Sequence, residues 1–263
     1  MMSLHVKFAV RSETGYRRDN NEDNFFCNGI YMTPQEREKP YSLNGLANEP
    51  SIFAVFDGMG GHECGEVASL IAAETLAEYS EKIRNGSFRE IDDYIQDATK
   101  RLTDMMRERN ILTGTTIVLI TCREDSFMIF HLGDSRAYRL KGDTLLKSTD
   151  DHTLAAEMVR MGMMSPRKAM DSPYWHSLTR FLGIEDKIES SPDVNGPFDY
   201  AENSRVLLCT DGLTDMLTHR EISECVKAAS DPAEAVNALV DSALAKGGHD
   251  NVTCIVLDFV KGE

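Results

Sequence analysis

The predicted fold is α+β: a four-layer αββα sandwich, two antiparallel sheets packed face to face and flanked by helices. Three features of the sequence predict it. Strand-type patterns come in groups, above all between residues 114 and 148, whereas a parallel sheet alternates strand with helix. Helical patterns come in consecutive pairs, one over about 63 to 109 and another over about 218 to 246. A last alternating strand, Asn251 to Val260, then returns to the sheet region. With 263 residues and 41% apolar content the chain can bury a substantial core, and one domain over 1–263 is expected.

His5 to Arg11 places Val6, Phe8 and Val10 on one face of a strand. The charged stretch Thr14 to Phe26, TGYRRDNNEDNFF, ends in a short aromatic strand. Residues 28–50 are polar, carry Pro34, Pro40 and Pro50, and are too long for a hairpin turn, so a surface loop is expected. Ser51 to Ser69, SIFAVFDGMGGHECGEVAS, is the stretch that organises the chain. Ile52 to Phe56 read as a buried strand, Gly58, Gly60 and Gly61 allow a tight turn, and Val67 to Leu76 carry helical periodicity. Ser87 and Glu90 have capping-box spacing ahead of a second helix, whose Ile91, Ile95, Ala98, Leu102 and Met105 share one face as far as Arg109.

Gly114 to Cys122, Ser126 to Leu132, Arg136 to Leu140 and Thr144 to Ser148 read as four strands of a meander, with Lys141-Gly142-Asp143 as a turn. Thr153 to Gly162 looks helical, Ser165 to Trp175 irregular, and the region 153–183 is expected to form a mobile flap. Arg205 to Thr210 reads as a buried strand ending at Asp211. Thr218 and Glu221 cap the next helix; Asp231, Pro232 and Glu234 supply cap, first-turn proline and N3 acid for another, which stops at Gly247-Gly248.

A net charge of −15 and a pI near 4.9 argue against nucleic acid as a partner, since phosphate-backbone binding needs clustered Lys and Arg. No apolar segment has the length of a membrane span, the amino terminus lacks a signal-peptide pattern, and a soluble, cytoplasmic protein is expected. Cysteines at 27, 64, 122, 209, 225 and 254 form no CxxC pair and read as reduced core residues. No HExxH, GxSxG or GxxxxGK[ST] pattern is present, which removes zinc hydrolase, serine hydrolase and P-loop readings.

What remains is a set of acids. Asp57, Asp134, Asp211 and Asp250 each adjoin an apolar strand pattern. A lone Asp-Gly such as Asp57-Gly58 is ordinarily a turn, but recurrence at comparable joints suggests that the acids gather at one edge of the sandwich. Converging carboxylates about 4 Å apart repel by about 4 kcal/mol per pair at an effective dielectric near 20, so a cation must sit among them. Oxygen-only donors favour Mg²⁺ or Mn²⁺, and two such ions with a bridging hydroxide suit in-line attack on a phosphate ester. Arg18 adds a planar cation fitted to bidentate phosphate binding.

Taken together, RRDNNED at 17–23, FAVFDGMGGHECGEVAS at 53–69, GTT at 114–116, HLGDSRAYRL at 131–140, DHT at 151–153, LTRFLG at 178–183, LLCTDGLTD at 207–215 and HDNVT at 249–253 resemble the metal-dependent protein phosphatases, the 2C-type serine/threonine phosphatases, in their compact bacterial form. The resemblance covers nearly the whole chain and implies removal of phosphate from phosphoserine and phosphothreonine by a metal-bridged hydroxide. It implies that Asp57 bridges two tightly held Mn²⁺ or Mg²⁺ ions, that the Gly58 carbonyl joins one of them, and that Asp211 and Asp250 bind the other. Arg18 then holds the substrate phosphate, Asp134 and Asp215 match positions of a third, weaker metal, Glu22 and Asp23 act through metal-bound waters, and Asn251 supports the site. Met59 stands where animal members have a general-acid His; His62 takes that role here or caps the following helix, with His152 a flap-proximal alternative. Asp134 and Asp215 also admit plain roles, as turn and helix-cap residues.

Expected partners are phosphorylated proteins and a serine/threonine kinase, with the chain itself a monomer. Two other readings are a catalytically silent phosphoprotein-binding regulator, which the intact acids disfavour, and a hydrolase of a small phosphate ester.

Overall fold

Apolar alternation decides which residues face which layer. The computed structural model describes residues 4–60, 64–86, 88–123, 126–184, 190–200 and 203–261. In β1 (Leu4–Glu13), Val6, Phe8 and Val10 point into the space between two sheets, as their period of two requires. In β2 (Asp23–Cys27), Phe25 and Cys27 face the same space while Phe26 faces the opposite way, so this short strand is apolar on both sides. After β3 (Tyr41–Asn48), β4 (Ser51–Gly60) repeats the pattern: Phe53 and Val55 lie between the sheets, Ile52, Ala54 and Phe56 beneath helices.

Those helices are α1 (Gly65–Asn85) and α2 (Arg89–Arg109). Ala68, Ala72 and Ala73 bring α1 close to the sheet, and Ile91, Ile95, Ala98 and Leu102 form the buried face of α2. Phe88 holds the cap position of α2 without a side-chain cap; Ser87, the expected partner of Glu90, lies outside the described residues. Then come β5 (Thr113–Thr115), β6 (Ile117–Arg123), β7 (Ser126–Leu132), β8 (Arg136–Lys141) and β9 (Thr144–Lys147).

These five strands do not make one meander. β6 and β7 form a hairpin in the sheet of β4, whereas β8 and β9 form a hairpin in the other sheet. The switch occurs at Gly133-Asp134-Ser135, where Gly133 has φ +108°, a left-handed value that favours glycine. α3 (Leu154–Arg160) follows, and α4 (Pro166–Met170) occupies part of the stretch expected to be irregular, its Pro166 sitting in the first turn where no N–H is needed. The flap is anchored at both ends, since Thr153 bridges to Leu178 and Thr115 to Leu182.

The chain ends with β10 (Asp193–Asp199), which no pattern predicted, β11 (Asn203–Cys209), α5 (Asp211–Thr214), α6 (His219–Ala228), α7 (Pro232–Ala245) and β12 (Val252–Lys261). Thr218 and Glu221 close a reciprocal capping box on α6, and Asp231 accepts from the Glu234 N–H on α7. The sheets run β3-β1-β12-β11-β8-β9 and β10-β7-β6-β4-β2, with β5 paired to β4. Val206, Leu207 and Leu208 show how helices cover the first sheet: Val206 and Leu208 lie between the sheets, and Leu207 packs with Leu239 and Val240 of α7. The layers are thus α1 and α2, sheet, sheet, α6 and α7.

One expectation is corrected. Residues 28–50 are not simply a surface loop: they include a helical turn at Glu36–Glu38 and β3, the edge strand paired along β1 from Tyr41–Ser12 to Asn48–His5. Ala47 is the one buried residue of β3 and the rest of the strand is partly or fully open to solvent, so its sequence is largely polar. All six cysteines are free, and all but Cys225 are buried.

The inter-sheet core carries the stability. Ile129→Ala should destabilise by about 2 to 5 kcal/mol because Ile129 is fully buried there. Leu112→Ala, at 86% exposure, should stay within roughly 0.5 kcal/mol. Urea unfolding of both variants checks the contrast.

Candidate active site

Strand ends deliver the acids. Asp57 lies on β4 opposite Asp23 of β2, Asp134 sits in the link between β7 and β8, and Asp211 opens α5 directly after β11. Asp215 follows one turn later, and Asp250 stands two residues before β12. All of these aspartates except Asp23, five in number, line a single cavity of about 530 Å³, together with Arg18, Glu22, Gly58, His176, His249 and Asn251.

Close backbone packing holds this cavity together. A Cβ on Gly58 would lie 2.0 Å from the Gly65 carbonyl oxygen, and one on Gly212 would lie 1.9 Å from that of Asn251. Neither neighbour is a flexible side chain, so both positions require glycine. The Asp57 carbonyl accepts from the Thr116 N–H at 2.9 Å, and the Asp57 N–H donates to Thr116 Oγ1 at 3.1 Å, which fixes the backbone beneath that carboxylate. Asn251 acts as a strut. Its Nδ2 donates to the Thr14 and Asn20 carbonyls, its Oδ1 accepts from the Glu22 N–H, and its own N–H donates to Asp250 Oδ1 at 2.8 Å.

Charge is concentrated here without adequate compensation from the protein. Burial, then the neighbouring Asp211, raises Asp57 well above the usual carboxylate range, and the same two causes raise Asp134. Burial also raises Asp215 and Glu22. Among the described residues, Arg18 Nη2 lies 2.6 Å from Asp250 Oδ2, and the His176 ring spans Asp211 at 3.4 Å and Asp215 at 3.5 Å. A hydrogen bond to Asp211 raises His176 to about 9. Ligand-type atoms of Asp134, His176 and Asp211 lie within 4.8 Å of one another. Oxygen donors that burial and mutual repulsion make reluctant to stay charged fit hard divalent cations, which relieve both.

A model of the family described as Protein phosphatase 2C matches residues 10–252. The chain belongs to the protein phosphatase 2C family. Within it, the serine/threonine phosphatase stp of Listeria welshimeri is 32% identical over 97% of this chain and 96% of its own. The serine/threonine phosphatase PstP/Ppp of Mycobacterium tuberculosis is similar in structure, with a TM-score of 0.81 and 29% identity over 97% of this chain and 98% of that one. A structure of the catalytic domain of PstP in complex with two manganese ions gives a TM-score of 0.79 at 28% identity, covering 98% of this chain and 100% of that one. Both antiparallel sheets and their flanking helices therefore match the protein phosphatase 2C architecture.

Against the expected positions, this protein phosphatase 2C chain brings Arg18, Glu22, Asp57, Gly58, Asp134, Asp211, Asp215, Asp250 and Asn251 to one cavity. Asp23 is the exception. It is buried behind the cavity, where its Oδ2 accepts from Thr210 Oγ1 at 2.9 Å and Thr253 Oγ1 at 2.7 Å, and burial pushes it up to about 8. His62 lies outside the described residues. His152 is buried and does not line the cavity; its Nδ1 accepts from the Gly133 N–H, one residue from Asp134. Sequence reading does not find His176, because it lies in the irregular stretch before LTRFLG with no acid beside it in sequence, and only the fold of the flap carries it to Asp211.

A second acid-and-histidine group, His131, His152 and Asp193, is no metal centre. The two imidazole rings stack at 4.7 Å with 9° between their planes, so their lone pairs cannot meet at one ion, and Arg180 Nη1 already lies 2.7 Å from Asp193 Oδ1.

Asn251→Ala leaves the Glu22 N–H and two carbonyls without this partner. A loss of about 1 to 3 kcal/mol is expected, with Tm lower by several degrees and phosphate release reduced. Calorimetry and phosphate-release assays on the same preparation measure both effects.

Proposed function

We propose that this chain is a serine/threonine phosphoprotein phosphatase dependent on two Mn²⁺ or Mg²⁺ ions. The observation that carries the reading is the convergence of five aspartates and Arg18 on one cavity. The names of the relatives and the manganese-bound PstP catalytic domain support it. Asp57, the Gly58 carbonyl, Asp211 and Asp250 would hold the two ions, and Asp134 and Asp215, beside His176, a third and weaker one. Glu22 and Asn251 support this set from its edge, and Asp23 orders the strands behind it. Divalent cations bound there neutralise the carboxylates and activate water toward phosphorus.

The chain's own residues do the rest. Arg18 is held at the wall by Asp250, where its planar guanidinium can take two phosphate oxygens of a phosphoserine or phosphothreonine. Met59, Leu178 and Met216 add apolar wall, which limits water around the ester and strengthens those charge-assisted bonds. His62, close in sequence to Asp57 and Gly58, is assigned as the proton donor to the departing alcohol. The whole chain 1–263 is assigned as one catalytic domain acting in the cytoplasm as a monomer, on proteins phosphorylated by a serine/threonine kinase.

Two measurements test this reading. Phosphate release from phosphothreonine peptides should need Mn²⁺ or Mg²⁺ and stop in excess EDTA; full activity in EDTA would overturn it. Arg18→Ala should lower kcat/KM by roughly tenfold to a hundredfold or more, as expected for about 1.5 to 3 kcal/mol in a charge-assisted bond, with little change in Mn²⁺ affinity by titration calorimetry. Loss of Mn²⁺ binding in a folded Arg18→Ala would make Arg18 a partner of the acids rather than of phosphate.

A further inference from the structure

Beside the acid cavity lies a second one of about 740 Å³, and the two share Met59 and Gly60. Its walls come from the end of α2 (Thr103, Met106, Arg107), the residues leading into β5 (Ile111, Leu112) and Phe181. Its floor is continuous sheet, because Met59 pairs with Gly114 and Gly60 with Thr113. The polar groups of that wall are already engaged: Thr113 Oγ1 donates to the Met59 carbonyl at 2.8 Å, Thr103 Oγ1 to the Lys100 carbonyl at 2.9 Å, and Arg107 pairs with Asp104 at 3.4 Å. Thioether, ring and aliphatic surface make up most of the lining, alongside Arg107 and Asn110. Leu112 stands at the rim of this space at 86% exposure, within reach of an incoming side chain.

We infer that this cavity receives an apolar side chain of the phosphopeptide substrate, two residues away from the phosphorylated one. The inference rests on the phosphatase reading and specifies its substrate class. Continuity with the acid cavity selects this occupant. From Gly58 to Gly60 an extended strand advances about 6.6 to 6.8 Å, and a bound extended peptide covers the same distance in two residues. Side chains two apart in such a peptide point to the same face, so a phosphate directed into the acids directs the side chain two positions away toward the apolar cavity. Leucine, methionine or phenylalanine would be favoured there over lysine or aspartate, whose charge would be desolvated without a partner.

The test uses full-length Mn²⁺-loaded enzyme and phosphothreonine peptides alike except for Leu, Ala, Lys or Asp placed two residues before or two residues after the phosphothreonine. At one of those positions Leu should exceed Lys and Asp in kcat/KM by about tenfold or more. In Leu112→Glu the ratio of the Leu peptide to the Lys peptide should fall toward one or invert; because it is a ratio within one enzyme, a general loss of activity cancels. Equal kcat/KM for all peptides, or an unchanged ratio in Leu112→Glu, overturns the inference while leaving the phosphatase reading intact. Equal turnover accompanied by a dimer in light scattering would assign the cavity to a second copy of the chain. Metal-dependent turnover of p-nitrophenyl phosphate with no release from any peptide would overturn both readings.

Discussion

The constraint on which the structure depends is the mutual repulsion of carboxylates brought to one edge of two facing sheets. Burial, and after it the charge of Asp211, raises Asp57 and Asp134 well above their ordinary range, so the fold holds both where a charged carboxylate is costly. A loop could not impose that arrangement. Asp57, Asp134 and Asp250 are instead anchored on or within two residues of a strand, Asp211 opens α5 and Asp215 closes it, and each strand is locked by apolar packing on one or both faces. The hydrophobic core therefore serves the site directly, since burial of residues such as Phe53, Ile129 and Leu257 offsets the electrostatic strain at the sheet edge.

Short polar groups transmit this rigidity. Ser12 Oγ lies 2.7 Å from Thr253 Oγ1, which donates in turn to Asp23, and Thr210 donates to the same carboxylate oxygen. These contacts join β1, β2, β12 and the end of β11 just behind Asp211 and Asp250. Buried networks of this kind hold a geometry when every member is satisfied and are costly when one is not. They explain why Asp23 resembles a site acid in sequence yet sits behind the cavity: its role is to fasten the strands from which the cavity acids project.

Much of this was legible in the sequence, for identifiable reasons. Strong period-two patterns marked β1 and β12, and caps at Thr218 and Asp231 marked α6 and α7, because each depends on neighbours within a few residues. Assignment of hairpins to sheets was not legible, because it depends on the turn at Gly133, which sends β7 and β8 to different layers. β3 was hidden because an exposed edge strand needs few apolar residues, and β10 because its Val194 is half exposed. Among the site residues, the recurring strand-Asp joints announced Asp57, Asp134, Asp211 and Asp250. His176 gave no such signal, since its place depends on how the flap folds back.

That return of the flap links the two histidine groups, which look alike in composition and behave differently. Around His176 the neighbours are Asp211, Asp215 and Asp134, and their charge raises the imidazole. Burial, and after it the neighbouring His131 and Arg180, pushes His152 down to about 4 and keeps it neutral, with Nδ1 accepting from the Gly133 N–H and Nε2 directed to Asp193. Its own N–H donates to the Gly133 carbonyl, so His152 holds Gly133 from both sides. Arg180, on the strand-like return of the flap, ties Asp193 to the same group. The loop bearing Asp134 is consequently braced through His152 to the flap, and the flap in turn carries His176 to Asp134 and Asp211. A displacement of the flap would therefore disturb Asp134 by two routes, one through the backbone of Gly133 and one through the charge of His176.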